Sequence, residues 1–356
     1  MNVLLVDDSR TFRRAVSRML RSEPDIENIF EAADGMEGVD EAHHRRPDLI
    51  VMDLEMPQLD GYGAIDRIMR SEAACPIVVL SASVDGPSSY AAARCFEVGA
   101  VEVLRKPTSM TVGQFRRRLV SVLRTMSKAR VVRRGRKKAP PPAVSRPRVE
   151  TPVGKPTRPV AARPRASLRS PGPAVLAIGS STGGPPVLYE LFKALPAPLP
   201  VPVIIAQHIL PGFDAGLARW LSNTGHPVKL VEGPLTPEAG SLYLAPGDNH
   251  VIYSHGQLRL EKPKDGDMVP AADRLMQTLV DNFDGPVAGV VLTGMGRDGA
   301  AGLKAVRDAG GRTYAQSAET CAVNGMPQAA RDLGAVEQSL SPADLGGALT
   351  ELLKKR

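Results

Sequence analysis

Apolar and polar positions along the first third of the chain alternate in blocks that predict strands and helices in turn. Short apolar runs at residues 3–6, 49–52, 77–80 and 101–104 are separated by amphipathic stretches of helix length. After the first run, Phe12, Val16 and Leu20 recur at helical spacing. Five βα units of this length predict a parallel sheet with helices on both faces over residues 1–126, a doubly wound, flavodoxin-like domain.

A second pattern of the same kind begins at residue 174. Apolar runs at 174–178, 201–206 and 287–292 have the composition of strands that are buried on both faces. Helices are predicted at 187–195, 213–221, 272–282 and 342–353, and shorter strands at 242–245, 312–315 and 335–336. Residues 251–260 are interrupted by His255-Gly256 and predict a β-hairpin. Residues 174–356 are therefore predicted to form a second wound α/β domain that carries a β-hairpin.

Residues 127–173 predict a basic, proline-rich linker between the two domains. From residue 128 onward this segment holds ten prolines and fourteen Lys or Arg against one acid, Glu150, a net charge of +13. The whole chain carries +7, so the remainder is at −6 and its two domains are acidic. A solvated spacer is the favoured interpretation. A patch for an acidic protein, anionic lipid or nucleic acid is the alternative, although no aromatic residue is present for base stacking, and no nucleic-acid partner is expected.

The composition also bears on location. No apolar run approaches the roughly 18 residues of a membrane helix, so no membrane insertion is expected. The N-terminus has no basic region before its apolar run, unlike a signal peptide. The cysteines, Cys75, Cys95 and Cys321, have no paired spacing. This argues against disulfides and thiolate metal sites and favours the cytoplasm.

Polar residues follow four of the predicted strands of the first domain. They are Asp7 and Asp8, Asp53, Ser81, and Lys106. The carboxyl ends of parallel strands meet at one edge of a sheet, so these groups are expected to converge. Three carboxylates suit a hard cation such as Mg²⁺, and a carboxylate can be the nucleophile of phosphoryl transfer.

The first strand of the second domain runs into a G-x-S-x-G sequence, Gly179-Ser-Ser-Thr-Gly183. This pattern is typical of a serine on a sharp strand-to-helix turn, where backbone N–H groups face developing negative charge. Ser181 is therefore a candidate nucleophile. A glycine-rich loop that cradles a phosphate is the alternative.

Two further strand ends of this domain carry His208 and Asp298. A serine nucleophile needs a base, and an imidazole needs a carboxylate to fix its tautomer, so Ser181, His208 and Asp298 form a candidate triad for acyl transfer. His250 is a rival base, and Asp298 could instead be a helix N-cap. The other histidines lie in polar contexts that predict solvated surface: His43, His44, His226 and His255.

Residues 1–126 resemble a response-regulator receiver domain. The matching residues are Val6-Asp-Asp-Ser9, Met52-Asp-Leu-Glu-Met-Pro57, Asp60-Gly61, Ser81 and Lys106-Pro107. The resemblance implies that Asp53 accepts phosphate from a histidine kinase, with Ser81 and Lys106 on the phosphoryl oxygens. It further implies that Asp7, Asp8, Asp53 and the backbone carbonyl of Glu55 hold or orient Mg²⁺. Receivers usually carry Phe or Tyr three residues before the lysine, where this chain has Val103.

Residues 174–356 resemble the catalytic domain of chemotaxis protein-glutamate methylesterases, the CheB family. The matching segments are Ile178-Gly-Ser-Ser-Thr-Gly-Gly184, Gln207-His208, Pro211-Gly-Phe213, Ala245-Pro-Gly-Asp248, Leu292-Thr-Gly-Met-Gly296, Asp298-Gly-Ala300 and Gly325-Met-Pro327. The resemblance implies Ser181 as nucleophile, His208 as general base and Asp298 as orienting carboxylate, with backbone near Thr182 and Met295 at the oxyanion site.

That family's reaction is hydrolysis of glutamyl methyl esters on the cytoplasmic domains of chemoreceptors, which releases methanol and uses no cofactor. Some members also deamidate receptor glutamines. We hypothesise that the unphosphorylated receiver packs over the Ser181 cleft and blocks it. Two other functions remain open on the residues alone: a phosphorylation-controlled binding protein with little hydrolysis, and, less favoured, a DNA-binding response regulator. The stretch at 267–273 lacks the basic residue that family members often carry there.

Overall fold

The computed structural model of the 356-residue chain describes residues 1–81, 94–95, 97–100, 102–107, 111–127 and 174–354. The basic proline-rich segment 128–173 lies outside the described residues. Within the described ranges, no helix is long and apolar enough to cross a membrane.

The N-terminal part folds around the predicted parallel sheet of five strands, and their order is β2-β1-β3-β4-β5. Its strands are β1 (Asn2–Val6), β2 (Asn28–Ala32), β3 (Leu49–Met52), β4 (Ile77–Ser81) and β5 (Glu102–Arg105). Its described helices are α1 (Arg10–Leu20), α2 (Gly35–Arg45), α3 (Gly61–Arg70) and α4 (Val112–Met126). Strand β5 lies at one edge of the sheet.

Alternation along the strands supplies a core on each face of this sheet. Leu4 and Val6 of β1 pack with Ile65 of α3, whereas Val3 packs on the opposite face with Phe115 of α4. Helix α4 begins at a capping box in which Thr111 and Gln114 exchange hydrogen bonds. Both faces are therefore covered by helices, which leaves the strand ends to carry chemistry.

The C-terminal part is built on a seven-stranded parallel sheet in the order β14-β13-β12-β6-β7-β9-β8, with a separate antiparallel hairpin, β10-β11. Its strands are β6 (Val175–Ser180), β7 (Val203–Gln207), β8 (Val228–Leu230), β9 (Leu242–Leu244), β10 (His250–Ser254), β11 (Gln257–Glu261), β12 (Val287–Val291), β13 (Arg312–Gln316) and β14 (Gln338–Leu340). Its helices are α5 (Gly184–Ala194), α6 (Asp214–Ser222), α7 (Ala272–Asn282), α8 (Ala300–Asp308), α9 (Gly325–Asp332) and α10 (Pro342–Leu353).

The central strand of this sheet is β6, which pairs with β7 on one side and with β12 on the other. Its side chains alternate between two cores: Leu176 packs with Leu191 of α5, and Ala177 packs with Met276 of α7. The sheet therefore extends to one side of β6 through β7 and to the other side through β12. Ligand crevices form at such a topological switch point.

The predicted strand at 335–336 is wrong. Ala335 N–H donates to Ala330 O at 2.9 Å and so closes the end of α9, and the edge strand forms three residues later as β14. Helix α9 and strand β8 were not predicted. Both are short, and α9 opens with Gly-Met-Pro, which hides helical periodicity.

Candidate active site

Ser181 occupies a tight turn between β6 and α5. Its N–H donates to Thr293 O at 3.0 Å, and its carbonyl accepts from Gly184 N–H at 2.8 Å. Gly183 has φ +74°, and a Cβ at that position would lie 2.5 Å from Ala322 Cβ. Only glycine fits there on both counts. The turn is thus held in one conformation, with Ser181 at the carboxyl end of the central strand.

The buried side-chain amide of Gln207 holds this turn through hydrogen bonds. Gln207, 2% exposed at the end of β7, donates from Nε2 to the carbonyls of Ser181 at 2.8 Å and His208 at 2.9 Å. Its Oε1 accepts from Ser180 Oγ at 2.5 Å. One side chain thereby ties the backbone of the candidate nucleophile to that of the candidate base.

The structure brings His208 and Asp298 together, as predicted for the triad. His208 Nε2 lies 2.7 Å from Asp298 Oδ2. A carboxylate accepts only, so Nε2 carries the proton and Nδ1 is left as the basic nitrogen. Among the described residues, that buried Nδ1 has no hydrogen-bond partner. The imidazole is therefore oriented with one nitrogen ready to accept a proton.

Asp298 also caps a helix, although not the one that directly follows it in the chain. Its carboxylate accepts from the N–H groups of Ala272 at 2.7 Å and Asp273 at 3.0 Å, at the start of α7. Burial disfavours the charged carboxylate, but the hydrogen bonds from His208 and from these two N–H groups outweigh it and hold the pKa of Asp298 below its usual value. Asp298 is thus kept ionised beside the imidazole.

Ser181 and His208 line one small cavity, together with Thr182. Within the described part of the chain, Ser181 Oγ makes no hydrogen bond, to His208 Nδ1 or to any other group, so the nucleophile and base are neighbours that are not yet engaged. Catalytic hydrogen bonds are often long before substrate binds. In the same described part, the N–H groups of Thr182 and Met295 donate no hydrogen bond, which leaves both available for an oxyanion.

The other histidines are placed away from this chemistry. His250, the rival base, accepts from Ala271 N–H at Nδ1 (3.0 Å), and its Nε2 lies 3.3 Å from Asp267. The prediction that His226 is solvated is wrong: it is 1% exposed, with Nε2 3.0 Å from Phe192 O. It is a core histidine whose Nε2 meets a backbone carbonyl, while its buried Nδ1 has no hydrogen-bond partner among the described residues.

The receiver-like part covers the Ser181 cavity. Glu102 and Val103 of β5 line it, and Glu102 Oε2 accepts from Thr182 Oγ1 at 2.8 Å. Beside it, Thr125 of α4 donates to Met295 Sδ at 3.0 Å. The space left for a small molecule is about 20 Å³, enough for about one water. Glu102 had no sequence signal as a site residue, because the contact joins elements 80 residues apart.

A second site lies at the strand ends of the N-terminal sheet. Asp7, Asp8 and Asp53 each offer a carboxylate oxygen, and these oxygens lie within 4.8 Å of one another. The cluster is consistent with a Mg²⁺ site, since hard oxygen donors suit that ion. Lys106 Nζ lies 2.6 Å from Asp53 and 2.7 Å from Asp7.

Burial raises the pKa of Asp53 above its usual value, and the hydrogen bond from Lys106 offsets only part of that effect. Ser81 ends β4 next to this group, and its carbonyl accepts from Lys106 N–H at 2.9 Å. The predicted role of the Glu55 carbonyl stays a prediction.

Comparisons with known proteins match both parts of the chain. The family model described as CheB methylesterase matches residues 176–349, and the response regulator receiver domain model matches residues 3–114. A protein-glutamate methylesterase/protein-glutamine glutaminase 2 of Anaeromyxobacter dehalogenans is 36% identical over 99% of this chain and 97% of that relative. The chain belongs to the CheB family.

A second relative aligns over the whole chain, and a solved structure aligns with about half of it. Protein-glutamate methylesterase/protein-glutamine glutaminase 1 of Myxococcus xanthus is 36% identical over 100% of this chain and 98% of that relative. A crystal structure of the Thermotoga maritima CheB methylesterase catalytic domain is 34% identical, covers 51% of this chain and 98% of that chain, and has a TM-score of 0.48. The two relatives align with this chain over both its receiver part and its methylesterase part.

Proposed function

We propose that this CheB-family protein is a receiver-regulated protein-glutamate methylesterase and glutamine glutaminase of chemotaxis. Its substrates would be glutamate 5-methyl esters on the cytoplasmic domains of chemoreceptors, with methanol released, and glutamines of the same proteins. The supporting observation is the meeting of Ser181, His208 and Asp298 at three adjacent strand ends. Full-length relatives named for these two activities support the choice of substrate.

The geometry supports a two-step acyl transfer. Ser181 Oγ attacks the ester carbonyl while His208 Nδ1 takes its proton, and Asp298 stabilises the imidazolium through Nε2. The N–H groups of Thr182 and Met295 would bind the oxyanion. His208 then returns the proton to the leaving methoxide, which departs as methanol. Water, activated by the same nitrogen, hydrolyses the acyl-serine to glutamate, and an amide substrate follows the same course with ammonia as leaving group.

The receiver would control this reaction by phosphorylation at Asp53. A histidine kinase is the proposed phosphodonor, and Ser81 and Lys106 are the proposed contacts of the phosphoryl oxygens. Bound Mg²⁺, held by Asp7, Asp8, Asp53 and the Glu55 carbonyl, would supply positive charge for the transferred phosphoryl group.

The covered cavity supports inhibition of the unphosphorylated state. Glu102 and Val103 leave no room beside Ser181 for a methyl-glutamyl side chain, so the receiver must move before substrate binds. Phosphorylation would shift the population toward that open arrangement. We further propose a receiver domain at 1–126, a linker at 127–173 and a catalytic domain at 174–356, acting in the cytoplasm.

The decisive measurement is methanol release from methylated receptor membranes, with and without Mg²⁺ and a small phosphodonor. The expected result is release that rises with the phosphodonor and falls at least about 1,000-fold in Ser181→Ala. Ser222→Ala, which removes a hydroxyl that donates to Ala218 O within α6, is the matched control and should keep the wild-type rate. Absence of release from a folded, phosphorylated protein would instead support the binding-protein alternative.

A further inference from the structure

The contact between Glu102 and Thr182 carries information about the substrate. Glu102 is a glutamate, and glutamate is also what the proposed reaction leaves on the receptor. Its carboxyl group lies in the cavity that Ser181, Thr182 and His208 line, and its Oε2 accepts from Thr182 Oγ1 at 2.8 Å. Resting on the proposed function, we infer that Glu102 occupies the subsite for the γ-carboxyl group of the substrate's glutamyl side chain, and that Thr182 Oγ1 is a donor of that subsite.

The chemistry of the contact favours a subsite that binds a carboxyl group over a side chain that only fills the cavity. A side chain that only excludes solvent would be apolar, because burying a carboxyl group is costly unless polar groups receive it. Here Thr182 donates to one carboxyl oxygen, and Val103 N–H donates to the other at 3.3 Å. Burial raises the pKa of the Glu102 carboxyl above its usual value, and the hydrogen bond from Thr182 offsets part of that effect. The esterase side of the cavity thus offers a glutamyl carboxyl one side-chain donor, the Thr182 hydroxyl, and the second donor to Glu102 belongs to the receiver.

The backbone of Thr182 is positioned for such a role. Thr293 Oγ1 donates to Thr182 O at 3.0 Å and accepts from Val323 N–H at 2.9 Å, which ties the peptide after Ser181 to the neighbouring loop. The Thr182 hydroxyl therefore projects from a fixed backbone next to the nucleophile. In turnover it would donate to an oxygen of the ester or of the product carboxylate, once Glu102 has withdrawn.

Calorimetry with glutarate tests the subsite in the full-length protein without any turnover. Glutarate carries the same CH₂-CH₂-carboxylate end as glutamate. Glu102→Ala should bind glutarate at least about tenfold more tightly than wild type, the effect of freeing one charge-assisted hydrogen bond. Adding Thr182→Val should return the affinity to the wild-type level, whereas Thr182→Ser in its place should keep the gain. Glu102→Ser serves the same comparison if the alanine variant is not folded.

Two results would overturn the inference: no gain in glutarate affinity on removal of the Glu102 side chain, or a gain that persists with Thr182→Val. Methanol release without phosphodonor gives a second readout. Glu102→Leu keeps the bulk of the side chain but removes its carboxyl group. Its rate of methanol release without phosphodonor should stay at the wild-type level if Glu102 acts by bulk alone, and should rise about tenfold or more if the carboxyl contact matters. Glu41→Ala, a half-buried receiver carboxylate paired with Arg45, is the control. The phosphorylated wild-type rate tests the proposed function separately, since glutarate binding does not depend on it.

Discussion

Asp298 caps the helix that contains Asp273, and Asp273 caps the helix that follows Asp298. The Asp298 carboxylate accepts the Asp273 N–H at 3.0 Å at the start of α7, and the Asp273 carboxylate accepts Gly302 N–H at 2.6 Å in the first turn of α8. Each carboxylate thus satisfies N–H groups that a helix start leaves unpaired. The reciprocal arrangement holds the loop after β12, and so fixes the position of the carboxylate that orients His208.

Loss of Asp298 should therefore affect both activity and stability. For Asp298→Ala we expect methanol release to fall about 10⁴-fold and the free energy of unfolding to fall by about 1–2 kcal/mol. Asp298→Asn retains an oxygen that can cap α7, so its stability loss should be smaller while its activity loss stays large. Fluorescence of Trp220, the single tryptophan and a buried residue of α6, reports unfolding of the methylesterase part.

The stability effect of Asp298 should depend on pH with a definite sign. Its pKa is below the ordinary 3.8, so the folded state favours the ionised form more than the unfolded state does. That stabilisation is fully present above pH 3.8 and is lost as the pH falls through the lowered pKa. The difference in unfolding free energy between wild type and Asp298→Ala should be constant near neutrality and shrink only in acid. A pH of 5 is still about one unit above the ordinary pKa of an aspartate. If the stability difference between wild type and Asp298→Ala already declined between neutral pH and about pH 5, this prediction would be contradicted.

Gln207→Glu should misplace the nucleophile turn. The substitution sets a carboxylate oxygen against the carbonyls of Ser181 and His208 in place of the amide that now donates to both. Leaving buried carbonyls unpaired costs about 1–3 kcal/mol each, and a shifted turn should lower kcat about 10- to 100-fold. Gln338→Glu, on the exposed edge strand β14, makes the same chemical change and should leave kcat and stability unaltered.

Gly294→Ala should act on the same turn from the other side. A Cβ there would lie 2.2 Å from Met326 Sδ and 2.7 Å from Ser181 Cβ, so the serine must shift. We expect kcat to fall about 10- to 100-fold with a smaller change in KM. Gly347→Ala in α10 meets no atom within 4 Å and should stabilise the protein slightly, by up to about 1 kcal/mol. Equal rates for the two variants would contradict the tight packing behind Ser181.

Asp53→Asn should abolish stimulation of methanol release by a phosphodonor. The amide cannot form an acyl phosphate, so the receiver stays in its unphosphorylated arrangement whatever the donor concentration. Asp40→Asn, an exposed carboxylate of α2, is the control and should keep full stimulation. Stimulation that survives in Asp53→Asn would place the phosphoryl group on another residue. Mass spectrometry of the intact protein checks the phosphoryl group directly.

Much of the fold was readable because long apolar runs and strand-end residues carry strong local signals. The runs at 174–178, 201–206 and 287–292 became the neighbouring strands β6, β7 and β12, and their order in the sheet brings the residues after them together. Periodicity fails for short elements. The three residues of β8 and the eight of α9 span only about one and a half strand periods and about two helical turns, too few to show a clear pattern.

Burial by distant elements was the part that local sequence could not predict. His226 follows a polar stretch and looks solvated, yet it lies against Phe192 of α5, with ring centroids 6.1 Å apart. Glu102 looks like a surface residue of an edge strand until the methylesterase part packs over it. Both depend on contacts between segments far apart in the chain, which no window of sequence contains.

Strand β5 contributes to two different sites within a few residues. Glu102 begins it at the methylesterase cavity, and Lys106 follows its end at the carboxylate cluster, about 13 Å away for four residues of extended chain. A receiver taken from another response regulator would therefore bring its own phosphate chemistry but not the matching cleft surface. Exchange of receivers within this family is thus limited by one edge strand. A chimera of a foreign receiver and this methylesterase part should show low activity without phosphodonor only when it also carries the β5 strand of this chain.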